Sequence, residues 1–398
     1  VSGQHVAASA AAEPQRLDPL QLEPQHFAAR LVAWQRCHGR HGLPWQASTD
    51  PYRVWLSEIM LQQTQVSVVL AYYPRFLQRF PTVQALAEAS EDEVLAQWSG
   101  LGYYRRARNL HRCAQQICHE HGGVFPRTAQ GLQQLAGIGR STAAAIAAFC
   151  FGERAAILDG NVKRVLGRSH ALPAPASAAA ELRALWNLAE RLLPEHDIQA
   201  YTQGLMDLGA TVCKPRNPSC LQCPFEGDCR ARQSGSGATP LFDATDGSSA
   251  QQQARDAPVK PAKTRRTQTW VLLWAENARA DTASIWLERR GAAGIWPGLW
   301  CLPQFDSREQ ALRHAAQLGA LTEHSPRPIT RHALTHLDLQ LEPLQVRITP
   351  TPGAREAGGN WFTLPAALAL GLPAPVRKLL QTAANLAKPQ DAQAVAPT

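Results

Sequence analysis

The sequence predicts a multidomain protein: an all-α module over residues 25–230, a linker over 231–266, and a smaller α+β module over 267–388. Three observations predict it. A glycine turn, Gly137-Ile138-Gly139, separates two apolar helical patterns in the manner of a helix-hairpin-helix. Four cysteines crowd into residues 213–229, and beyond residue 266 the hydrophobic period changes from helical to alternating. Residues 1–24 and 389–398 show no such period and are expected to be disordered.

Composition bounds the partners. A chain of 398 residues is long for one core, and 45% hydrophobic content with 11 Trp supports more than one. The net charge of +8 suits a polyanionic partner without naming it. There is no apolar run long enough for a membrane span, and the N-terminal residues lack the basic and Leu-rich regions of a signal peptide. A cytoplasmic setting follows, associated with the nucleoid if the source is bacterial. The nine cysteines are odd in number and mostly scattered, unlike a secreted disulfide framework, so a reducing interior is expected.

Taken in order, Phe27, Leu31, Val32 and Trp34 recur at helical spacing up to Gly39. The loop His41-Gly42-Leu43-Pro44-Trp45 follows. Asp50-Pro51 is an N-cap followed by Pro at the first helical position, opening one helix through PYRVWLSEIMLQQTQVSVVLAYYPRFLQRF. Glu58 lies in it among apolar neighbours. It reads either as a solvent-face residue or as an acid whose charged form is disfavoured and which can hand over a proton. Gln62, Gln63 and Thr64 continue that helix with uncharged hydrogen-bonding groups, which either read base edges or are merely solvated. Pro81-Thr82-Val83 and Ser90-Glu91-Asp92-Glu93 start two more helices, the second with a capping box. Gly100-Leu101-Gly102-Tyr103-Tyr104 followed by Arg105, Arg106 and Arg108 sets aromatics beside guanidiniums at a turn. That mixture suits stacking or wedging beside phosphates, or simply a capped basic helix.

After Gly137 and Gly139 a second helix begins near Arg140-Ser141-Thr142, its free N–H groups forming a ready anion site. Asp159 is placed to cap a helix starting near Asn161. A capping carboxylate that accepts backbone N–H groups is held ionised and can face a developing cation. A protonated acid at Glu58 and an anion at Asp159 form the kind of pair that divides acid and electrostatic roles in glycosidic cleavage. Cys213, Cys220, Cys223 and Cys229 lack the two close pairs of a zinc ribbon and suit a [4Fe–4S] cluster, with zinc the lesser alternative.

These residues resemble the endonuclease III superfamily of base-excision DNA glycosylases, and within it the MutY-type adenine glycosylases. The matching stretches are LPWQ (43–46), VWLSEIMLQQTQV (54–66), GLGYYRRARNL (100–110), LAGIGRSTAAAI (135–146), ILDGNVKRVL (157–166), MDLGATVC (206–213) and the four-cysteine loop. The resemblance implies that Glu58 protonates adenine N7, that Asp159 stabilises the sugar cation, and that Asn161 is its neighbour in the site. It implies wedge positions at Gln63 and Tyr103 and adenine-pocket positions at Leu43, Trp45 and Gln203; Gln62, Thr64, Gly137 and Gly139 remain candidate DNA contacts from their own chemistry, and Lys163 lies near enough to trap a ring-opened sugar. Strand-cutting members carry a lysine at the position of Ser141. A hydroxyl cannot form their imine, so a monofunctional enzyme is expected.

Residues 231–266 are rich in Ser, Gly, Gln, Asp and Pro, a linker by composition. Beyond it, strands are expected at 267–273, 284–288 and 331–349 and helices at 307–318 and 373–386. WLERRGAAGIWPGLWCLPQF (286–305) resembles the Nudix-like domain of the MutY-type enzymes, which checks the opposite base, 8-oxoguanine. Its helix has Leu312 and Arg313 where a working Nudix hydrolase places paired acids, so a reading role is expected. The reading triplet here is Leu334-Thr335-His336, with Thr335 and His336 the candidate contacts. The whole reading is a monomeric enzyme on duplex DNA holding adenine opposite 8-oxoguanine or guanine. A bifunctional glycosylase/lyase for oxidised pyrimidines and a non-catalytic iron–sulfur DNA-binding protein stand as alternatives.

Overall fold

The computed structural model describes residues 23–170, 172, 177–234, 266–279, 284–334, 337–351 and 358–386. Thr335, His336 and most of the linker lie outside the described residues. Two compact units appear, and neither is one continuous stretch of chain. Within the described residues, one combines 23–42 with 140–234 and the other 43–139 with 266–386. No helix among the described residues is long and apolar enough to cross a membrane.

The first unit is helical. Helix Pro24–His38 buries Phe27, Leu31, Val32 and Trp34 on one face, the period read from sequence. That face joins a core with Ala144, Ala145 and Ala148 of helix Arg140–Phe151, Val162 and Val165 of helix Gly160–His170, and Tyr201 and Leu205 of helix Ile198–Asp207. Alanines on the second helix admit close approach of its neighbours, so the core is made tight by small residues as well as by aromatics. A single π-helical turn, Leu208–Val212, carries the chain from Asp207 to Cys213. Phe27 stacks on Phe225 at 4.3 Å between ring centroids, and Arg30 pairs with Asp228 and the Pro224 carbonyl. The four-cysteine loop is thereby tied to the N-terminal helix.

In the second unit, Asp50 caps helix Pro51–Leu61 by accepting from Tyr52 N at 3.0 Å, and Ser90 and Glu93 form the expected capping box on helix Glu91–Trp98. The single long helix expected after Pro51 is not observed. The chain breaks at Gln62–Gln65 and resumes as helix Val66–Arg79. Gln63 has φ 55°, in the left-handed region, which no α-helix admits. Helix Arg105–His121 ends on Gly122 in the left-handed conformation. Gly137 has φ 78°, and a Cβ there would lie 2.6 Å from Asn109 Cβ, so this glycine is required by both conformation and space. Gly139 is required by neither: its φ is ordinary and nothing lies within 4 Å of its would-be Cβ.

The same unit contains a mixed sheet of eight strands: β1 (Arg266–Asn277), β2 (Ser284–Arg289), β3 (Trp300–Cys301), β4 (Gln304–Phe305), β5 (Gly319–Pro326), β6 (Thr330–Ala333), β7 (Leu337–Pro350) and β8 (Gly359–Thr363). The backbone order is β3-β2-β1-β7-β5, with β4 on β1, β6 on β7 and β8 on β2. β1 and β7 run parallel in register from Arg266↔Leu337 to Asn277↔Ile348. Helix Arg308–Leu318 buries Ala311, Ala315 and Leu318 against Val271, Leu273, Val346 and Ile348. Helix Ala374–Leu386 closes the described chain. Leu312 packs against the same core, so the position where a hydrolase would present an acid is used for burial.

Candidate functional site

Asp159 is the N-cap of helix Gly160–His170: its Oδ1 accepts from Val162 N at 2.8 Å. Asp preceding Gly-Asn is sufficient to stop the preceding extended segment and start the helix. The carboxyl is nevertheless not held low. Burial raises it above the ordinary carboxylate value, and the opposing pull of the Val162 and Asn161 N–H groups and of Arg164 and Lys163 does not offset that. This corrects the expectation that capping alone keeps Asp159 ionised, because desolvation was not legible in the residues beside it.

Ser141 sits one helix away, and its Oγ accepts from Leu158 N at 2.9 Å. The Ser141 hydroxyl is thus a structural clip on the residue preceding Asp159. Asn161 Oδ1 accepts from Arg164 Nη2 at 2.8 Å. The same guanidinium donates to the Gly209 carbonyl at 2.6 Å and the Cys213 carbonyl at 2.7 Å. Gly209 must be glycine, since a Cβ there would meet Asn161 Cβ at 2.6 Å. Lys163 is half-buried on the same helix, with its backbone N–H on the Asp159 carbonyl.

Asp207 was not singled out by sequence. It is fully buried and accepts from Arg40 N and Nε at 2.8 and 2.7 Å and from Gln203 Nε2 at 2.8 Å. Gln203 therefore has a fixed partner inside the protein. An acid four residues after a glutamine is the available signal, but many solvated helices carry one.

The four cysteines come together. Cys213, Cys220, Cys223 and Cys229 line one cavity with Arg168, Val212, Pro218 and Glu226. Among the described residues no group of three or more His, Cys, Asp or Glu could hold a metal ion directly. Four thiols lining one cavity are a donor set that a [4Fe–4S] cluster would fit. Arg168 gives a second indication. It is only 3% exposed, and its guanidinium donates to the Lys214 and Pro215 carbonyls and to Cys213 Sγ at 3.5 Å. A buried cation facing neutral acceptors needs a nearby anion, which thiolates bound to a cluster would be. Burial pushes the Cys223 thiol up to about 12 and raises Cys229, so a bound centre is what would displace their protons.

In the second unit, Glu58 lies half-buried in helix Pro51–Leu61 between the buried Ser57 and Ile59. Trp45 is buried and meets the Tyr73 ring edge-on at 5.5 Å, while Leu43 N–H donates to Gln46 Oε1. Gln63 and Tyr103 are both exposed, and both are non-glycine residues with positive φ, 55° and 48°. One side chain serves both. Arg106 donates through Nη1 to the carbonyls of Ile59, Met60 and Gln62 at 2.9, 2.9 and 2.5 Å. Its Nη2 reaches Thr64 Oγ1 at 3.0 Å and the carbonyls of Leu101 and Gly102 at 3.3 and 3.2 Å. These are the orphaned carbonyls of a broken helix and of a glycine loop, and burial lowers the guanidinium to about 10. The Gln62 carbonyl and the Thr64 hydroxyl are thus acceptors for Arg106.

Two outcomes follow. Arg106→Ala should cost about 3 kcal/mol in denaturant unfolding of the full chain, the scale of a charged hydrogen-bond network left unsatisfied. Asp159→Asn keeps the cap. Because the folded carboxyl is raised, its stabilising contribution is full below the ordinary carboxylate range and lost as pH rises through the folded value. Melting curves from acid to neutral pH should therefore show the Asn variant gaining on the parent as pH rises.

The chain is similar to known proteins over both of its units. A family model described as the HhH-GPD superfamily base excision DNA repair protein matches residues 56–191, and a NUDIX domain model matches residues 271–382. The adenine DNA glycosylase of Buchnera aphidicola subsp. Baizongia pistaciae is 33% identical over 362 residues, covering 89% of this chain and 95% of the relative. The human adenine DNA glycosylase is 36% identical over 390 residues, covering 85% and 70%. Among solved structures, a thermostable thymine-DNA glycosylase aligns with TM-score 0.48 and 28% identity, covering 53% of this chain and 97% of its own. The matched residues span the capped Asp159 corner, the cysteine cavity and the mixed sheet in one chain, and this chain belongs to the adenine DNA glycosylase family.

Proposed function

We propose that the protein is a monofunctional, monomeric adenine DNA glycosylase of the cell interior, removing adenine paired with 8-oxoguanine or guanine in duplex DNA. The observation that carries the reading is the similarity to adenine DNA glycosylases over 89% of the chain. The glycosidic bond is inaccessible inside the stack, so the adenine must be turned out, and a mispair is the less expensive pair to open. Gln63 and Tyr103, exposed on strained backbone, are assigned to fill the gap left behind. Leu43, Trp45 and Gln203 are assigned to the adenine. Gly137, Gly139 and Lys163 are assigned to the DNA backbone, and Thr335 and His336 to the opposite base.

Glu58 is assigned to place a proton on adenine N7, which weakens the bond from N9 to C1′. As the bond breaks, positive charge develops on the sugar, and Asp159 is assigned to face it with Asn161 beside it. A carboxylate desolvated in the resting protein has much to gain from such a cation, which fits the raised value at Asp159. Water then adds to C1′ and the adenine leaves. No amine stands at position 141, and the Ser141 hydroxyl is engaged by Leu158, so the reaction is assigned to stop at the abasic site. The domain over 267–388 is assigned to reading. A [4Fe–4S] cluster on Cys213, Cys220, Cys223 and Cys229 would supply a rigid anionic cross-link between Arg168 and the basic loop of Lys214 and Arg216.

Product analysis on duplexes with adenine opposite guanine, 8-oxoguanine and thymine should show base release on the first two, with no strand cutting and little borohydride capture. Efficient capture through one lysine would overturn the monofunctional reading. Glu58→Gln should slow adenine release by about a hundredfold or more while mispair affinity is retained; unchanged turnover would remove Glu58 from the mechanism. The purified protein should carry iron and a visible absorption band. A colourless zinc protein would exclude the cluster.

A further inference from the structure

The loop that bears Tyr103 is fastened to the mixed-sheet part of its own unit. Ser99, 5% exposed, donates from Oγ to the Leu372 carbonyl at 2.8 Å and accepts from Arg377 Nε at 2.9 Å. Tyr104 donates its hydroxyl to the same Leu372 carbonyl at 3.3 Å. Arg377 uses its remaining donors on the Leu368 and Leu370 carbonyls, both at 2.7 Å, which fixes the turn that presents Leu372. Gly371 lets the two parts meet, since a Cβ there would lie 2.6 Å from Leu95 Cβ. Around this centre Trp300 Nε1 donates to Asp92 at 3.1 Å, and Arg108 to the Pro297 carbonyl.

The residues between these anchors are Gly100 to Tyr103, with φ of 107° at Gly100, 72° at Gly102 and 48° at Tyr103. Leu101 and Tyr104 are buried, and Tyr103 between them is 50% exposed. A short, strained loop with both roots clamped has little freedom at its tip, so its roots decide where the tip side chain stands. Both roots are clamped by one carbonyl of the C-terminal domain. We propose that the turn Leu368–Leu372, held by Arg377, is a second positioning element of the Tyr103 loop, fixing its roots where Arg106 holds its middle, with Ser99 as its receiver. The domain assigned to the opposite base thereby also sets the posture of the residue assigned to enter the duplex. This rests on the wedge reading of Tyr103.

The test uses the full chain with 3-fluorotyrosine at position 103. Ser99→Ala should shift or broaden the fluorine resonance in the absence of DNA, and Arg377→Lys, which leaves the hydroxyl in place, should do so more weakly. Mispair affinity of Ser99→Ala should fall roughly two- to tenfold, the scale of one lost hydrogen bond, and this loss should vanish in a Tyr103→Ala background. A resonance unmoved by both substitutions overturns the proposal, as does an equal affinity loss with and without Tyr103. If Tyr103→Ala by itself leaves affinity unchanged, the wedge reading fails, while the resonance still decides whether the turn positions the loop.

Discussion

The guanidinium of Arg106 is the constraint on which the exposed, irregular part of the second unit depends. Two stretches of backbone there abandon regular structure, one where a helix stops at Leu61 and one where the chain turns through Gly100 and Gly102. Each leaves carbonyls without helix partners, and each places a large side chain on positive φ. A planar fork of fixed donors can satisfy both at once, which a lysine could not. The brace holds Gln63 and Tyr103 in conformations that neither residue would choose alone.

The same device recurs. Arg164 ties the Asn161 side chain to the π-helical turn before Cys213, and Arg168 ties the following carbonyls to the cysteine cavity. Arg377 holds the turn that reaches Ser99. In each case the guanidinium is engaged by backbone oxygens more than by acids. The positive charge summed from the sequence is therefore not all surface charge. Part of it is inside, holding irregular backbone where chemistry or contact with DNA is assigned.

Asp159 shows a different balance. Its cap and nearby cations favour the ionised form, and its burial opposes them and wins. A group held this way is poorly stabilised in the resting protein and gains most when a positive charge appears beside it. The cost is borne by a core in which Ser141, Leu158 and Val162 already fix the carboxylate's position.

Much of the fold was legible because it follows from local rules. The cap at Asp50, the capping box at Ser90, the N-cap at Asp159 and the alternation of β7 depend on neighbours within a few residues. So does the cysteine spacing, whose thiols meet around one cavity. By contrast β1 and β2, expected to alternate, are buried in continuous runs. What the sequence could not show depends on residues far away along the chain. The helix after Pro51 is continuous by period, yet it breaks where Arg106, more than forty residues on, satisfies its last carbonyls. Asp207 looks like a solvated helical acid until Arg40 and the surrounding core enclose it. The upward shift at Asp159 escapes the sequence for the same reason: hydrogen-bond donors can be read from adjacent residues, but desolvation is a property of everything packed around them. Sequence by itself determined most elements, their caps, the clustering of four cysteines and the hydroxyl at position 141, since each is a local chemical choice. Tertiary structure decided the breaks, the buried charges and the clamp on Tyr103, since each needs a partner that only folding brings within hydrogen-bond reach.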